Sequence, residues 1–156
     1  MKQKLLLVAL LAAFGLLAMA APRVETVSSP NGKIRIEVSI GDQLQYSVYN
    51  GDELVLKDNV LTLQLRNARF GDKPQFKGCK RSRIDEVIRP VVPMKYAEVP
   101  NKANQMSLSF KGGIGVDFRA YDNGIAYRFN IDKGKKKVDV VDEGVELNFP
   151  VGEYLH

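Results

Sequence analysis

The chain has 156 residues, 45% hydrophobic and 26% charged, with 13 Gly and 7 Pro. That is the composition of a folded globular domain and excludes a disordered, collagen-like or linker-like chain. The formal net charge of +5 is modest for 156 residues and contains no dense basic face with interleaved aromatics, so a nucleic-acid partner is not expected.

The first twenty residues read as an address. Lys2 and Lys4 precede an uncharged apolar run from Leu5 to Met19, and Ala18-Met19-Ala20 is a small-x-small cleavage site before Ala21-Pro22. The run of 15 residues is shorter than the roughly 20 that span a bilayer. Residues 1–20 are therefore expected to be a signal peptide rather than an anchor. The mature protein is then exported, periplasmic or secreted, with no membrane association after cleavage. Removing the leader lowers Lys+Arg from 23 to 21 against 18 Asp+Glu, a net +3.

Period-two alternation dominates the remaining residues, 21–156. Ile34, Ile36, Val38 and Ile40 alternate with polar neighbours, the mark of a half-buried strand. The pattern returns at Leu44-Tyr46-Val48, Leu61-Leu63-Leu65, Met106-Leu108-Phe110, Val116-Phe118-Ala120 and Ile125-Tyr127-Phe129-Ile131. It returns again at Val138-Val140 and at Val145-Leu147-Phe149. Asn31-Gly32, Asn50-Gly51 and Asn123-Gly124 are dipeptides that accept positive φ at both positions of a type I′ hairpin. On this basis Gly124 is expected at positive φ between strands 115–121 and 125–131, so a valine there is expected to destabilise. Gly41-Asp42 separates two further strands.

Residues 67–84 hold Gly71, Pro74 and Gly78 among many charges and read as a long loop or irregular crossing. Pro90, Pro93 and Pro100 restrict any strand over 90–104 to an edge or a bulge. The run Lys133-Gly134-Lys135-Lys136-Lys137 reads as a solvated hairpin turn. No segment after the leader carries a helical stripe. The expected fold is all-β, an antiparallel sandwich or barrel with one wet face per sheet. Ile34, Ile36, Val38, Leu63, Leu108, Phe118, Tyr127 and Phe129 are expected to point inward.

Chemistry-bearing residues are few. Cys79 is the lone thiol and His156 the lone imidazole, which excludes a zinc cage and leaves no base for a serine or cysteine nucleophile. Lys77, Lys80 and Arg81 would lower the thiol's pKa were Cys79 exposed; a buried, inert thiol is the expectation. Asp139, Asp142, Glu143 and Glu146 lack the order of a helix–loop–helix calcium loop and read as a solvated strand edge. Gly112-Gly113-Ile114-Gly115 follows a strand without opening a helix, so it is a turn and not a phosphate loop. Trp is absent; Tyr49, Tyr96, Tyr121 and Tyr154 are the rings available for stacking on a sugar, a role less common for strand tyrosines than cross-strand packing.

Three segments together carry a resemblance. Ser29-Pro30-Asn31-Gly32-Lys33 opens a strand soon after the leader. Tyr121-Asp122-Asn123-Gly124-Ile125-Ala126-Tyr127-Arg128-Phe129 is a hairpin leading into an aromatic-Arg-aromatic strand. Phe149-Pro150 precedes Gly152 and Tyr154. The order resembles the N-terminal domain of glycoside hydrolase family 97, exported α-glucosidases and α-galactosidases, over essentially all of residues 21–156.

The end at Phe149-Pro150 to His156 reads either as a strand and turn that simply stops or as a cut within a longer architecture; the resemblance implies a β super-sandwich similar to galactose mutarotase, incomplete at His156. The implied partner is a catalytic (β/α)8 barrel missing from this chain, followed by a C-terminal β domain. The family's catalytic carboxylates lie on the barrel, and its outcomes include both inversion and retention. Its calcium is held by glutamates, one from the N-terminal domain beyond the reach of this chain. No position in 21–156 matches those motifs, so no catalytic, cofactor-binding or metal residue is assigned here. A portion of a glycosidase, inactive alone, is thus the expected function. A stand-alone exported β module binding a carbohydrate or a protein is the alternative.

Export is checked by N-terminal sequencing of the secreted protein: the first residue should be Ala21, and retention of Met1 in exported material would sink the leader assignment.

Overall fold

The computed structural model describes residues 21–92, 98–132, 134 and 137–150. Ten strands appear there: β1 Arg23–Ser28, β2 Ile34–Ile40, β3 Leu44–Asn50, β4 Glu53–Leu65, β5 Ala68–Phe70, β6 Phe76–Ile88, β7 Val99–Phe110, β8 Ile114–Tyr121, β9 Gly124–Ile131 and β10 Val140–Val145. The leader, Pro93, Tyr96, Lys133, Lys135, Lys136, Tyr154 and His156 lie outside the described residues.

Every strand pairing is antiparallel. One sheet has six strands in the order β1-β2-β3-β4-β10, with β5 on β4; the other runs β6-β7-β8-β9. The first two strands of the larger sheet lie over β7, β8 and β9. The alternation places Ile36, Val38, Leu44, Tyr46, Leu61 and Leu63 from one sheet against Met106, Leu108, Phe110, Val116, Phe118 and Ala120 from the other, all buried. The fold is the expected all-β sandwich. Its first sheet is wider than its second.

A chain of rings stitches the sheets together. Phe118, Tyr46, Tyr127, Phe129, Phe70, Phe110 and Phe76 follow one another with neighbouring centroids 5.0 to 6.1 Å apart. Tilted and edge-on pairs dominate, as ring quadrupoles prefer. Six of the eight expected inward residues sit on the buried faces of their strands or beside them. Tyr127 and Phe129 also face the core, but half-buried, because β9 is an edge strand.

The segment 67–84 is largely strand, not loop. β5 and the first nine residues of β6 lie within it. The reason is legible in the register: Cys79 pairs with Leu108 and Arg81 with Met106, so inward positions of β6 carry a thiol and a guanidinium and the apolar alternation is hidden. The proline expectation holds at Pro100. It sits where β7 pairs with β6 alone, since β8 joins only from Asn104 onward.

The turns depart from type I′. Gly32 and Gly51 have φ of +75° and +61°, but Asn31 and Asn50 stay out of the left-handed region. Ser29 O accepts from Gly32 N at 2.9 Å, closing a turn with Pro30 at its second position. In the β3–β4 hairpin Gly51 alone takes positive φ at the first loop position, the requirement of a II′ turn. Between β8 and β9 neither Asp122, Asn123 nor Gly124 has positive φ, because the loop is Asp122-Asn123 and Gly124 already pairs with Tyr121. The expected sensitivity at Gly124 is therefore withdrawn.

Gly71 and Gly113 are the demanding glycines, both at positive φ with a backbone oxygen where a Cβ would lie. At Gly71 φ is +117°, and a Cβ there would lie 2.3 Å from Leu61 O. Gly71→Ala should cost about 2 kcal/mol or more, whereas Gly124→Val, with nothing within 4 Å of its Cβ position, should stay within about 0.5 kcal/mol. Phe118→Ala should cost about 3–5 kcal/mol and exceed Phe129→Ala. Urea unfolding midpoints check all four.

Candidate functional site

The closed flank of the sandwich lies between β1 and β6, and an ion network seals it. Glu25 sits on the inward face of β1 and is 7% exposed. Arg81 on β6 donates from Nη2 to its Oε2 at 2.8 Å and from Nε to Thr26 O at 3.1 Å. Arg23 Nε donates to Oε1 at 2.7 Å, and its guanidinium lies 4.3 Å from the centre of the Phe76 ring. Burial alone would raise the Glu25 pKa; hydrogen bonds from Arg23, Arg81 and Cys79 outweigh it and hold the carboxyl below the usual range.

Cys79 belongs to this seal. It is half-buried, and burial, with Glu25 opposing the nearby Arg81, pushes its thiol up. A thiol held protonated beside a carboxylate is a weak nucleophile.

A second polar cluster covers the outer face of the four-stranded sheet. Asp117, 6% exposed, accepts from Arg128 Nε and Nη2 at 3.0 and 2.9 Å. Burial opposes its ionisation, but Ser107, Asn130 and Arg128 hydrogen-bond it and its pKa is lowered. Arg119 Nε donates to Gln105 Oε1 alongside, at 2.7 Å. These contacts satisfy one another across β7, β8 and β9.

The acidic stretch is an exposed edge. Asp139 pairs with Arg66 at 2.8 Å, and Glu143 accepts from Tyr127 Oη at 3.1 Å. Burial first, then Glu143, raises the Tyr127 pKa far above its ordinary value. Among the described residues no three His, Cys, Asp or Glu gather as a metal cage. Calcium, which the family resemblance implies for longer relatives, thus finds no fitting donor set in the described part of this chain. Of the candidate tyrosines among the described residues, Tyr49 on β3 is covered by the Arg35 guanidinium at 4.0 Å, and Tyr121 ends β8 in the other sheet.

Sequence reasoning missed Asn59. It is fully buried in β4, donates from Nδ2 to Tyr46 O at 3.1 Å and accepts from Asn148 N at 2.6 Å through Oδ1. Lys57 N donates to Asn148 O at 2.9 Å. The chain beyond β10 is pinned to the sandwich by these bonds. Asp58 beside it is left-handed (φ +49°), with its N–H on Ser47 Oγ at 3.0 Å. A polar pair interrupting the apolar pattern between Leu56 and Leu61 was the available signal.

A cleft of about 670 Å³ lies at one end of the sandwich, where the β4–β5, β5–β6 and β7–β8 connections meet the approach to β10.

Glu25→Gln is expected to lower stability at neutral pH. The folded-state pKa of Glu25 lies below the model-peptide value of 4.5, so its contribution is present above that value and disappears as pH falls through the lower folded one. The gap in unfolding midpoint between wild type and Glu25→Gln should close on acidification; a gap independent of pH would contradict the ionised seal.

Comparison with known proteins places the chain. The family described as "Glycosyl-hydrolase 97 N-terminal" matches residues 27–156. The chain is 34% identical over 135 residues to a retaining alpha-galactosidase of Bacteroides thetaiotaomicron, which covers 86% of this chain and 20% of that protein. A glycoside hydrolase family 97 enzyme from Pseudoalteromonas sp. strain K8 superposes with a TM-score of 0.68 at 21% identity, over 80% of this chain and 20% of its own. A beta-arabinopyranosidase crystal structure superposes at 0.72 and 25% identity, over 81% and 21%. The chain spans about a fifth of the length of these relatives, and it belongs to the N-terminal family of glycoside hydrolase family 97.

Proposed function

We propose that the chain is the non-catalytic N-terminal sandwich of an exported α-glycosidase, with the bond-breaking carboxylates carried by a (β/α)8 barrel encoded beyond it. The observation that carries this is the 34% identity to a retaining alpha-galactosidase, confined to a fifth of that protein. A barrel of this kind typically needs about 250 residues, more than the whole of the present chain. The substrate class is an α-linked glycoside. Export rests on the pattern of residues 1–20.

The open flank of the sandwich supports the reading. β9 and β10 are both edge strands. Val145, in register with buried Leu61, is 54% exposed, and Leu147 and Phe149 continue its alternation at 57% and 59%. Contiguous apolar surface on an edge marks a contact with more polypeptide.

The test compares two proteins: residues 21–156, and the same residues continued by the downstream coding sequence. The longer protein should hydrolyse aryl α-galactosides or α-glucosides and the shorter should not, with or without calcium. An in-frame stop with no barrel downstream would leave the stand-alone binding module as the reading. Turnover by residues 21–156 that vanishes on mutating one of their acids would overturn the non-catalytic assignment.

A further inference from the structure

The end cleft has an apolar floor and a cationic rim. Leu65, Phe70 and Ile114 are buried beneath it. Five cations surround it: Arg66, Arg69, Lys73, Lys111 and Lys137. Arg66 is matched by Asp139 at 2.8 Å and Arg69 by Asp72 at 3.1 Å. No carboxylate lies within ion-pair distance of Lys73, Lys111 or Lys137 among the described residues. Three lysines from three separate connections thus line one cleft with no ion pair to a described carboxylate.

The rim is also built rather than frayed. Lys73 is one of two non-glycine residues at positive φ, +44°, a conformation that disfavours a long side chain and is held by its N–H on Asp42 O at 2.7 Å. Lys111 N donates to Gln75 O at 2.9 Å, which ties the β7–β8 turn to the strand entering β6.

We propose that this cleft binds an acidic saccharide, a sugar ring carrying a carboxylate or sulfate group, with the ring over the Phe70–Ile114 floor and the oxyanion among Lys73, Lys111 and Lys137. An oxyanion on ammonium donors makes charge-assisted hydrogen bonds, and a flat ring covers apolar surface that a free ion leaves wet. The choice of a saccharide over an acidic peptide rests on the glycosidase reading above. The cleft adjoins the β10 end of the open flank through Lys137, Val138 and Asp139, whereas the exposed Val145, Leu147 and Phe149 do not line it.

The experiment titrates trigalacturonate into the chain by calorimetry, beside maltotriose, sodium sulfate and tetraglutamate. Trigalacturonate should bind, tightest at low salt, and the other three should bind at least about tenfold more weakly. Lys111→Gln, Lys137→Gln and Lys73→Asn, the last tolerant of positive φ, should each weaken it about tenfold without moving the unfolding midpoint. Lys33→Gln, remote from the cleft, should not. Absence of binding, equal binding of maltotriose, sulfate or tetraglutamate, or affinity unmoved by the three cleft substitutions would overturn the proposal. Those results are read on this chain alone and leave the glycosidase reading, which depends on turnover by the longer protein, untouched.

Discussion

A four-stranded sheet cannot cover a six-stranded one, and most of this structure follows from that mismatch. Burial of apolar side chains is the main favourable term in folding, so the core forms where the two sheets overlap. Ile36, Val38, Tyr46, Leu108, Val116 and Phe118 lie there with almost no exposure. The ring chain crosses the same overlap and ends toward β5 and β6. Beyond β9 no described residues form a partner layer over the larger sheet, and the exposure of β10 follows from that geometry. Val145 has the side chain of a core position and the neighbourhood of a surface one.

The two flanks are finished by different chemistry. At β1–β6 a buried carboxylate meets two guanidiniums, and each of its oxygens is hydrogen-bonded. An ion pair in that position is stabilising only because each partner is hydrogen-bonded as well; Arg81 meets this by reaching the Thr26 carbonyl in addition to Glu25. At β9–β10 the contact is a single phenol-to-carboxylate bond from Tyr127 to Glu143, with apolar side chains exposed beside it. One flank is complete in itself. The other leaves apolar side chains exposed beside acidic ones.

Much of the fold was legible in the residues because one-sided burial imposes period two, and β2, β3, the second half of β4, β7, β8 and β9 each show it. What escaped did so for physical reasons. β6 carries Cys79 and Arg81 at inward positions, so its alternation is chemical rather than apolar. β1 mixes Glu25 with Val27 on its inward face and is concealed in the same way. The Asn-Gly dipeptides marked turns correctly but not their types, since one positive-φ residue suffices in a II′ turn and none is used between β8 and β9. Of the surfaces with functional meaning, the lysines of the end cleft lie at 73, 111 and 137, and no spacing rule joins them before the strands do. Asn59 was hidden likewise, since its partners are a carbonyl one strand away and an amide 89 residues on.

The pin at Asn59 bears on how the open flank is kept usable. An apolar edge left free to fray would expose still more backbone N–H and C=O groups and invite irregular pairing. Asn59 prevents this from within the core. Its amide satisfies the Tyr46 carbonyl on one side and its oxygen fixes the backbone at Asn148 on the other, so the residues after β10 are held in register with β4 although their side chains bury little. Replacing Asn59 by leucine would fill the space yet leave the Tyr46 carbonyl and the Asn148 amide without partners. Buried and hydrogen-bonded on both sides, Asn59 orders an edge that no second layer among the described residues packs against.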